Sequence, residues 1–279
     1  MKKILIPTDF SENSGEAFAY ALEMFENETV ETHLLHMIPH VSVDQHGVSV
    51  DTYVMTELFN RAQEKMNSVE EFGKEYLNSN GFEDFTLKTH VYLGDVIKGI
   101  RAKSEELDAD LVIVGTQGEN HKPIERMFGT VSTALTKKMP CPVLFVPKGY
   151  EYKDVDNVIF ASNLNPADPF KLWKAIEAIA PHKPLIRYLF VDNEDQKVKE
   201  KEINLFKQYV TEYSPTIRTA FNIETGEEPT TVINECVLKY DAELIIMQKL
   251  NKPLLANLFS ISQTKKMVDN LTVPLLVIN

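Results

Sequence analysis

Asp110-Leu111-Val112-Ile113-Val114-Gly115-Thr116-Gln117-Gly118 opens the stretch that decides the fold, and Val143-Leu144-Phe145-Val146-Pro147 closes it. Leu111–Val114 and Val143–Val146 are short unbroken apolar runs rich in β-branched residues. Such runs read as strands covered on both faces, as in a parallel α/β sheet. Between them a polar loop, Glu119 to Phe128, leads to Gly129-Thr130-Val131-Ser132-Thr133 and a helical segment carrying Ala134, Leu135 and Lys137-Lys138. Strand, glycine turn, loop, glycine and hydroxyl-rich helix start suit an anion. Glycine leaves no Cβ in the way, and the unpaired N–H groups and positive dipole end of a helix beginning near Thr130 face the same space. Glycines after strands also serve as plain turns, and Ser or Thr at a helix start is ordinary capping. A Walker loop is excluded, because the Gly-Lys-Ser/Thr ending is missing.

The flanking pattern extends this reading to the whole amino-terminal half. Lys3-Ile4-Leu5-Ile6-Pro7-Thr8-Asp9-Phe10-Ser11 is a strand followed by a loop, then a helix from about Asn13 to Phe25 with an apolar stripe at Ala17, Phe18, Ala21, Leu22 and Phe25. Asp9 lies where open α/β sheets place their ligands, and could accept a hydrogen bond from an adenine amino group or cap the helix. A second strand runs from Thr29 to Met37. A loop covers Val41 to Thr52, a helix Val54 to Asn78 ends at an αL cap at Asn80-Gly81, and a third strand spans Thr86 to Tyr92. Asp95 caps the next helix, which returns to Leu111. This βαβ succession, with links long enough for right-handed crossovers, predicts a doubly wound parallel α/β sheet. His33, His36, His40 and His46 do not form a metal site, because alternation sends His33 and His36 to opposite faces and no Cys or acidic ligand completes a metal spacing.

Gly115-x-x-Gly118, a spacer, Gly129-Thr130 and Pro140-Cys141-Pro142-Val143 resemble the universal stress protein family, and Lys3 to Ser11 resembles its first strand and adenine loop. The ten-residue spacer is one longer than usual in nucleotide-binding members. The resemblance implies the strand order 3-2-1-4-5, which brings the loops after the first and fourth strands together. It also implies ATP or another adenine nucleotide, with or without Mg, in the amino-terminal half. Pro7, Thr8, Asp9 and the backbone of Met37 would meet the base, and Gly115, Gly118, Gly129, Thr130, Val131 and Ser132 the phosphates. It implies no catalytic residue and at most slow ATP hydrolysis, since no general base or arginine is placed by motif.

The pattern then restarts. A chain of 279 residues accommodates two domains of about 140 residues, divided as 1–149 and 150–279. Asn157-Val158-Ile159-Phe160-Ala161-Ser162-Asn163-Leu164-Asn165 parallels Lys3 to Ser11, Leu185 to Val191 repeats the second strand, and a helix near Val198 to Tyr213, a strand Ile217 to Ile223, a helix Thr231 to Tyr240 and the run Leu244 to Met247 follow. The copy changes at the site. Asn163 replaces Asp9, Gln248-Lys249-Leu250-Asn251 replaces Gly115 to Gly118, and Phe259-Ser260-Ile261-Ser262 carries no glycine near the Gly129 position. Bulk at these places predicts a half that keeps the fold without binding nucleotide in the same way. The resemblance further implies antiparallel pairing of the fifth strands, Val143–Val146 and Pro274–Ile278, within one chain, making a pseudo-dimer able to pair again as a homodimer.

Charge and composition narrow the partners. A formal net charge of −12 without a basic patch argues against nucleic acid and anionic membranes. Apolar runs fall short of the roughly 20 residues of a membrane helix. Ile4-Leu5-Ile6 is too short for a signal peptide, and Cys141 and Cys236 read as buried hydrophobes, in keeping with a reducing cytoplasm. Two functions compete. One is a nucleotide-binding regulatory or stress-response protein; the other is an interaction module of the same fold that binds no nucleotide. An adenylate-forming ligase is set aside, because Pro7 to Ser11 is not the Ser-Gly-Gly-type pyrophosphate loop it would need.

Overall fold

The computed structural model describes residues 1–26, 28–39, 52–82, 85–116, 134–135, 139–162, 184–192, 200–213, 218–248 and 272–278. The amino-terminal half contains β1 (Lys2–Pro7), α1 (Glu12–Met24), β2 (Val30–Ile38), α2 (Thr52–Asn80), β3 (Phe85–Leu93), α3 (Val96–Leu107), β4 (Leu111–Gly115) and β5 (Val143–Val146). The carboxyl-terminal half contains β6 (Asn157–Ala161), β7 (Leu185–Asp192), α4 (Glu200–Tyr213), β8 (Arg218–Thr225), α5 (Pro229–Tyr240), β9 (Leu244–Gln248) and β10 (Leu275–Ile278). Element ends follow local chemistry. Asp95 accepts the N–H of Lys98 and opens α3, while Gly81 at φ 74° closes α2.

The ten strands among the described residues form one sheet in the order β3-β2-β1-β4-β5-β10-β9-β6-β7-β8. Each half has the order 3-2-1-4-5 with parallel neighbours, and the halves meet where β5 and β10 pair antiparallel, Leu144 opposite Leu276. Side chains alternate between two layers that cross this seam. Ile4, Ile6, Leu144, Leu276, Val158 and Phe160 pack on one face, and Leu5, Val143, Phe145, Leu275, Val277 and Ile159 on the other. Every residue of β5 and β10 is buried, as runs apolar on both faces require.

The internal repeat is written in backbone hydrogen bonds. Thr8 N–H donates to Leu35 O at 2.8 Å and Ser162 N–H to Leu189 O at 3.0 Å. Lys3 N–H donates to the Asp110 carboxylate at 2.8 Å, as Asn157 N–H does to that of Glu243 at 2.7 Å. Val112 N–H to Pro142 O is matched by Ile245 N–H to Pro274 O, and Asp108 and Asp241 both adopt the left-handed conformation after their helices. The polar linker after Pro147 is docked onto α1. Lys148 pairs with Glu12 at 3.0 Å, Gly149 N–H donates to Glu16 at 2.8 Å, and the Tyr152 ring meets Tyr20 edge-on at 5.3 Å. Among the described residues, no helix is long and apolar enough to cross a membrane, and no group of three or more His, Cys, Asp or Glu is placed to hold a metal. Both cysteines are buried free thiols, pushed up by burial to about 12 for Cys141 and about 11 for Cys236, which leaves them poor nucleophiles.

Between β2, β3 and α3 lies a titratable cluster. His33 Nε2 sits 2.6 Å from a Glu31 carboxylate oxygen, which can only accept, so His33 donates there. Neutral His33 then accepts at Nδ1 from His90 Nε2–H at 2.8 Å. Lys88 closes on Glu31, and Lys103 pairs with Glu106. Burial first, then the nearby Lys103, lowers His90 from 6.5 to about 4. Between those values the unfolded chain takes up a proton that the folded chain refuses, so stability falls as pH drops through this window. The urea midpoint should therefore decrease from pH 7 to pH 5, and His90→Gln should show a smaller decrease. An equal pH dependence in both proteins would remove His90 from the account.

Candidate functional site

The carboxyl ends of β1, β2 and β4 meet at one edge of the amino-terminal half. β1 stops at Pro7, opposite Leu35. The loop after it is tied internally. Phe10 N–H donates to Thr8 Oγ1 at 3.0 Å, Ser11 N–H to Asp9 Oδ1 at 3.0 Å, and Ser14 N–H to Ser11 Oγ at 3.2 Å. Ser14 Oγ donates to Ser11 O at 2.9 Å, so the 2.9 Å contact between the Thr8 and Ser14 hydroxyls has Thr8 as donor. Ser11 is therefore the helix cap of α1, and the Asp9 carboxylate instead makes a turn at the exposed tip of the loop. Of the two uses the sequence left open for Asp9, capping is thus taken by its neighbour.

Phe10 sits at φ 63°, a conformation that costs a non-glycine residue about 1–3 kcal/mol. Its ring packs against that of His36 at 4.3 Å between centroids, tilted by 31°, with the Lys65 ammonium 5.5 Å from its centre. His36 Nδ1 lies 2.8 Å from Thr8 O. Because a carbonyl only accepts, His36 carries its proton on Nδ1. Burial lowers its pKa against the pull of the Thr8 carbonyl and Asp9, so the ring is neutral at pH 7. Sequence reasoning set His36 aside as a metal ligand, leaving it a packing or solvent residue, and passed over Lys65. The available signal was the position of Lys65 beside Ala62 and Met66, two buried residues of α2.

Met37 presents its backbone to the same space. Leu35 O faces β1 and Ile38 O faces β3, where it accepts from Gly94 N–H at 2.9 Å. In a parallel sheet a residue's N–H and C=O point to the same side and alternate along the strand. Those of Met37 therefore point toward β1, beyond the last β1–β2 pairing at Pro7 and Leu35. The Met37 side chain turns away and packs against α3, where a Cβ on Gly99 would lie 2.3 Å from Met37 Cε.

Gly115 ends β4, paired with Val146. A Cβ there would lie 2.5 Å from Asn13 Nδ2 and 2.6 Å from the Asn13 carbonyl oxygen. Packing of the first turn of α1 thus demands glycine, a reason the sequence reading did not contain. The next residue, Thr116, is buried and donates its N–H to Val146 O. The structure brings Pro7, Thr8, Asp9, Met37 and Gly115 to one end of the sheet. Gly118, Gly129, Thr130, Val131 and Ser132 lie outside the described residues. In the second half Gln248 stands at the register of Gly115 and is buried, whereas Asn163, Leu250 and Ile261 lie outside the described residues. Gly115→Ala should destabilise the chain by about 1–3 kcal/mol, since the obstructing Asn13 oxygen is backbone. Urea unfolding would measure this, and an unchanged midpoint would show that α1 yields without cost.

Comparison with known proteins agrees with this architecture. Residues 1–147 match the Universal stress protein family. Universal stress protein MJ0531 of Methanocaldococcus jannaschii is 29% identical over 157 residues, covering 53% of this chain and 82% of that protein. Universal stress protein G of Salmonella typhimurium is 27% identical over 149 residues, covering 52% of this chain and 98% of its own. The crystal structure of a universal stress protein from Archaeoglobus fulgidus superposes with a TM-score of 0.68 at 18% identity, covering 99% of this chain and 95% of that one, a likeness of fold. With a family match over more than half its length, on the fold that match requires, this chain belongs to the universal stress protein family.

Proposed function

We propose that the amino-terminal half binds an adenine nucleotide, ATP in the first instance, and that the protein acts in regulation or stress response rather than as a catalyst. The observation that carries this reading is the tied Thr8-Asp9-Phe10 turn facing the Met37 backbone and the Gly115 end of β4. Asp9 accepts the adenine amino group, Met37 offers backbone groups to the ring, and Pro7 and Thr8 form the wall. Thr8 contributes through its position, because its hydroxyl is engaged with Phe10 and Ser14, its N–H with Leu35 and its carbonyl with His36. Gly115, Gly118, Gly129, Thr130, Val131 and Ser132 cradle the phosphates, with Mg as the accompanying cation. The division of labour falls between residues 1–149 and 150–279. The second half is a partner in pairing, the whole chain standing in for a family dimer and able to pair with a second copy in a reducing cytoplasm.

A second reading is an interaction module without nucleotide. It is favoured by one observation: the Asn13 contact accounts for Gly115 through packing alone. Calorimetric titration of the full chain separates the two. Asp9→Ala should weaken ATP binding by about 10- to 100-fold, the effect of losing one hydrogen bond to a charged group. Gly129→Val should abolish binding by filling the approach to the phosphates, with circular dichroism unchanged. Unaltered affinity in both variants, or no binding by the parent protein, would favour the interaction module.

A further inference from the structure

We infer that His36 is the positioning residue of the base-reading loop, fixing the Asp9 carboxylate by holding the residues on either side of it, and so sets selectivity for adenine. The inference rests on the reading that Asp9 meets the adenine amino group. On one side of Asp9, the Thr8 carbonyl accepts the His36 Nδ1–H at 2.8 Å. On the other, the Phe10 ring lies against the His36 ring at 4.3 Å while its backbone holds φ 63°. One imidazole thus anchors both neighbours of an exposed acid from the adjacent strand. The hydrogen bond does not depend on the protonation of His36, because Nδ1 keeps its proton in both the neutral ring and the imidazolium. Among the described residues, the charged groups facing the ring are Asp9 and, from α2, Lys65. His36 is therefore a fixed clamp and not a proton switch.

The second half supplies an internal comparison. The hydrogen bonds Thr8 N–H to Leu35 O and Ser162 N–H to Leu189 O align the halves, and Gly94 N–H to Ile38 O with Gly226 N–H to Asp192 O confirms the register. Phe190 therefore occupies the place of His36. It is buried in the same core layer as Ile38 and Leu34, and it has no proton to donate to the loop. In this half Asn163 stands where the first half has Asp9. The carboxylate and its clamp are replaced together, as expected if the histidine serves the acid rather than the fold, since both halves fold with the same strand register.

The test compares ATP with inosine triphosphate, which lacks the 6-amino group, by titration calorimetry on the full chain. Wild type should prefer ATP. His36→Phe keeps an aromatic ring and removes the donor; it should weaken ATP by about tenfold, the loss of a well-placed hydrogen bond to Asp9, and inosine triphosphate by less than about twofold. Adding His36→Phe to Asp9→Ala should cause no further loss. His36→Asn places an amide N–H near the Nδ1 position and should restore most of the preference. His36→Gln places its N–H at the distal position and should not, which keeps the test decisive if the phenylalanine variant fails to fold. Equal losses for both nucleotides, or an unchanged preference, would overturn the clamp while leaving nucleotide binding in place. Failure of wild type to bind either nucleotide would instead overturn the reading on which the clamp rests.

Discussion

The approach of β4 to the first turn of α1 at Gly115 is the constraint from which the site follows. Closer packing than any side chain permits, with Asn13 backbone within 2.6 Å of where a Cβ would stand, brings the start of α1 against the end of the fourth strand. That contact places the Asp9 loop beside the point where the chain leaves β4, and the edge between them is the place where doubly wound sheets receive ligands. At the same register the second half carries Gln248, a buried polar side chain in place of glycine. This position is one of those that differ between two halves sharing strand order, hydrogen-bond register and the aspartates that end α3 and α5.

The seam between β5 and β10 joins the two halves into one sheet. Each fifth strand is apolar on both faces and would otherwise end a sheet with an exposed edge. Antiparallel pairing joins them, and both core layers run across it. The linker strengthens the join, since Tyr150 packs against both layers and Tyr152 against Tyr20 of α1. The helix that opens beside the Asp9 loop therefore also receives the chain that leads into the second half.

Much of this was legible in the sequence because the signals are local. Leu111–Val114 and Val143–Val146 are buried strands as their apolar runs implied, Asp95 caps α3, and Gly81 ends α2 in the left-handed region. The meeting of Pro7, Thr8, Asp9 and Met37 with Gly115 at one end of the sheet was legible through motif. What escaped depends on contacts distant in sequence. Ser11 takes the cap that Asp9 was a candidate for, because the loop's hydrogen bonds are decided by Thr8 and Ser14 together. The need for glycine at 115 comes from Asn13, about a hundred residues earlier in the chain. His36 pairs with a backbone carbonyl, a partner that residue spacing cannot disclose, and the approach of Lys65 to Phe10 emerges only when α2 is packed.

The unequal halves make the central claim one of location as well as of binding. A photoreactive 8-azidoadenine triphosphate, bound to the full chain and cross-linked, reports location directly through mass spectrometry of the labelled peptides. The account predicts label within residues 1–147, competed by ATP. Label within the carboxyl-terminal half, or label that ATP does not displace, would contradict it.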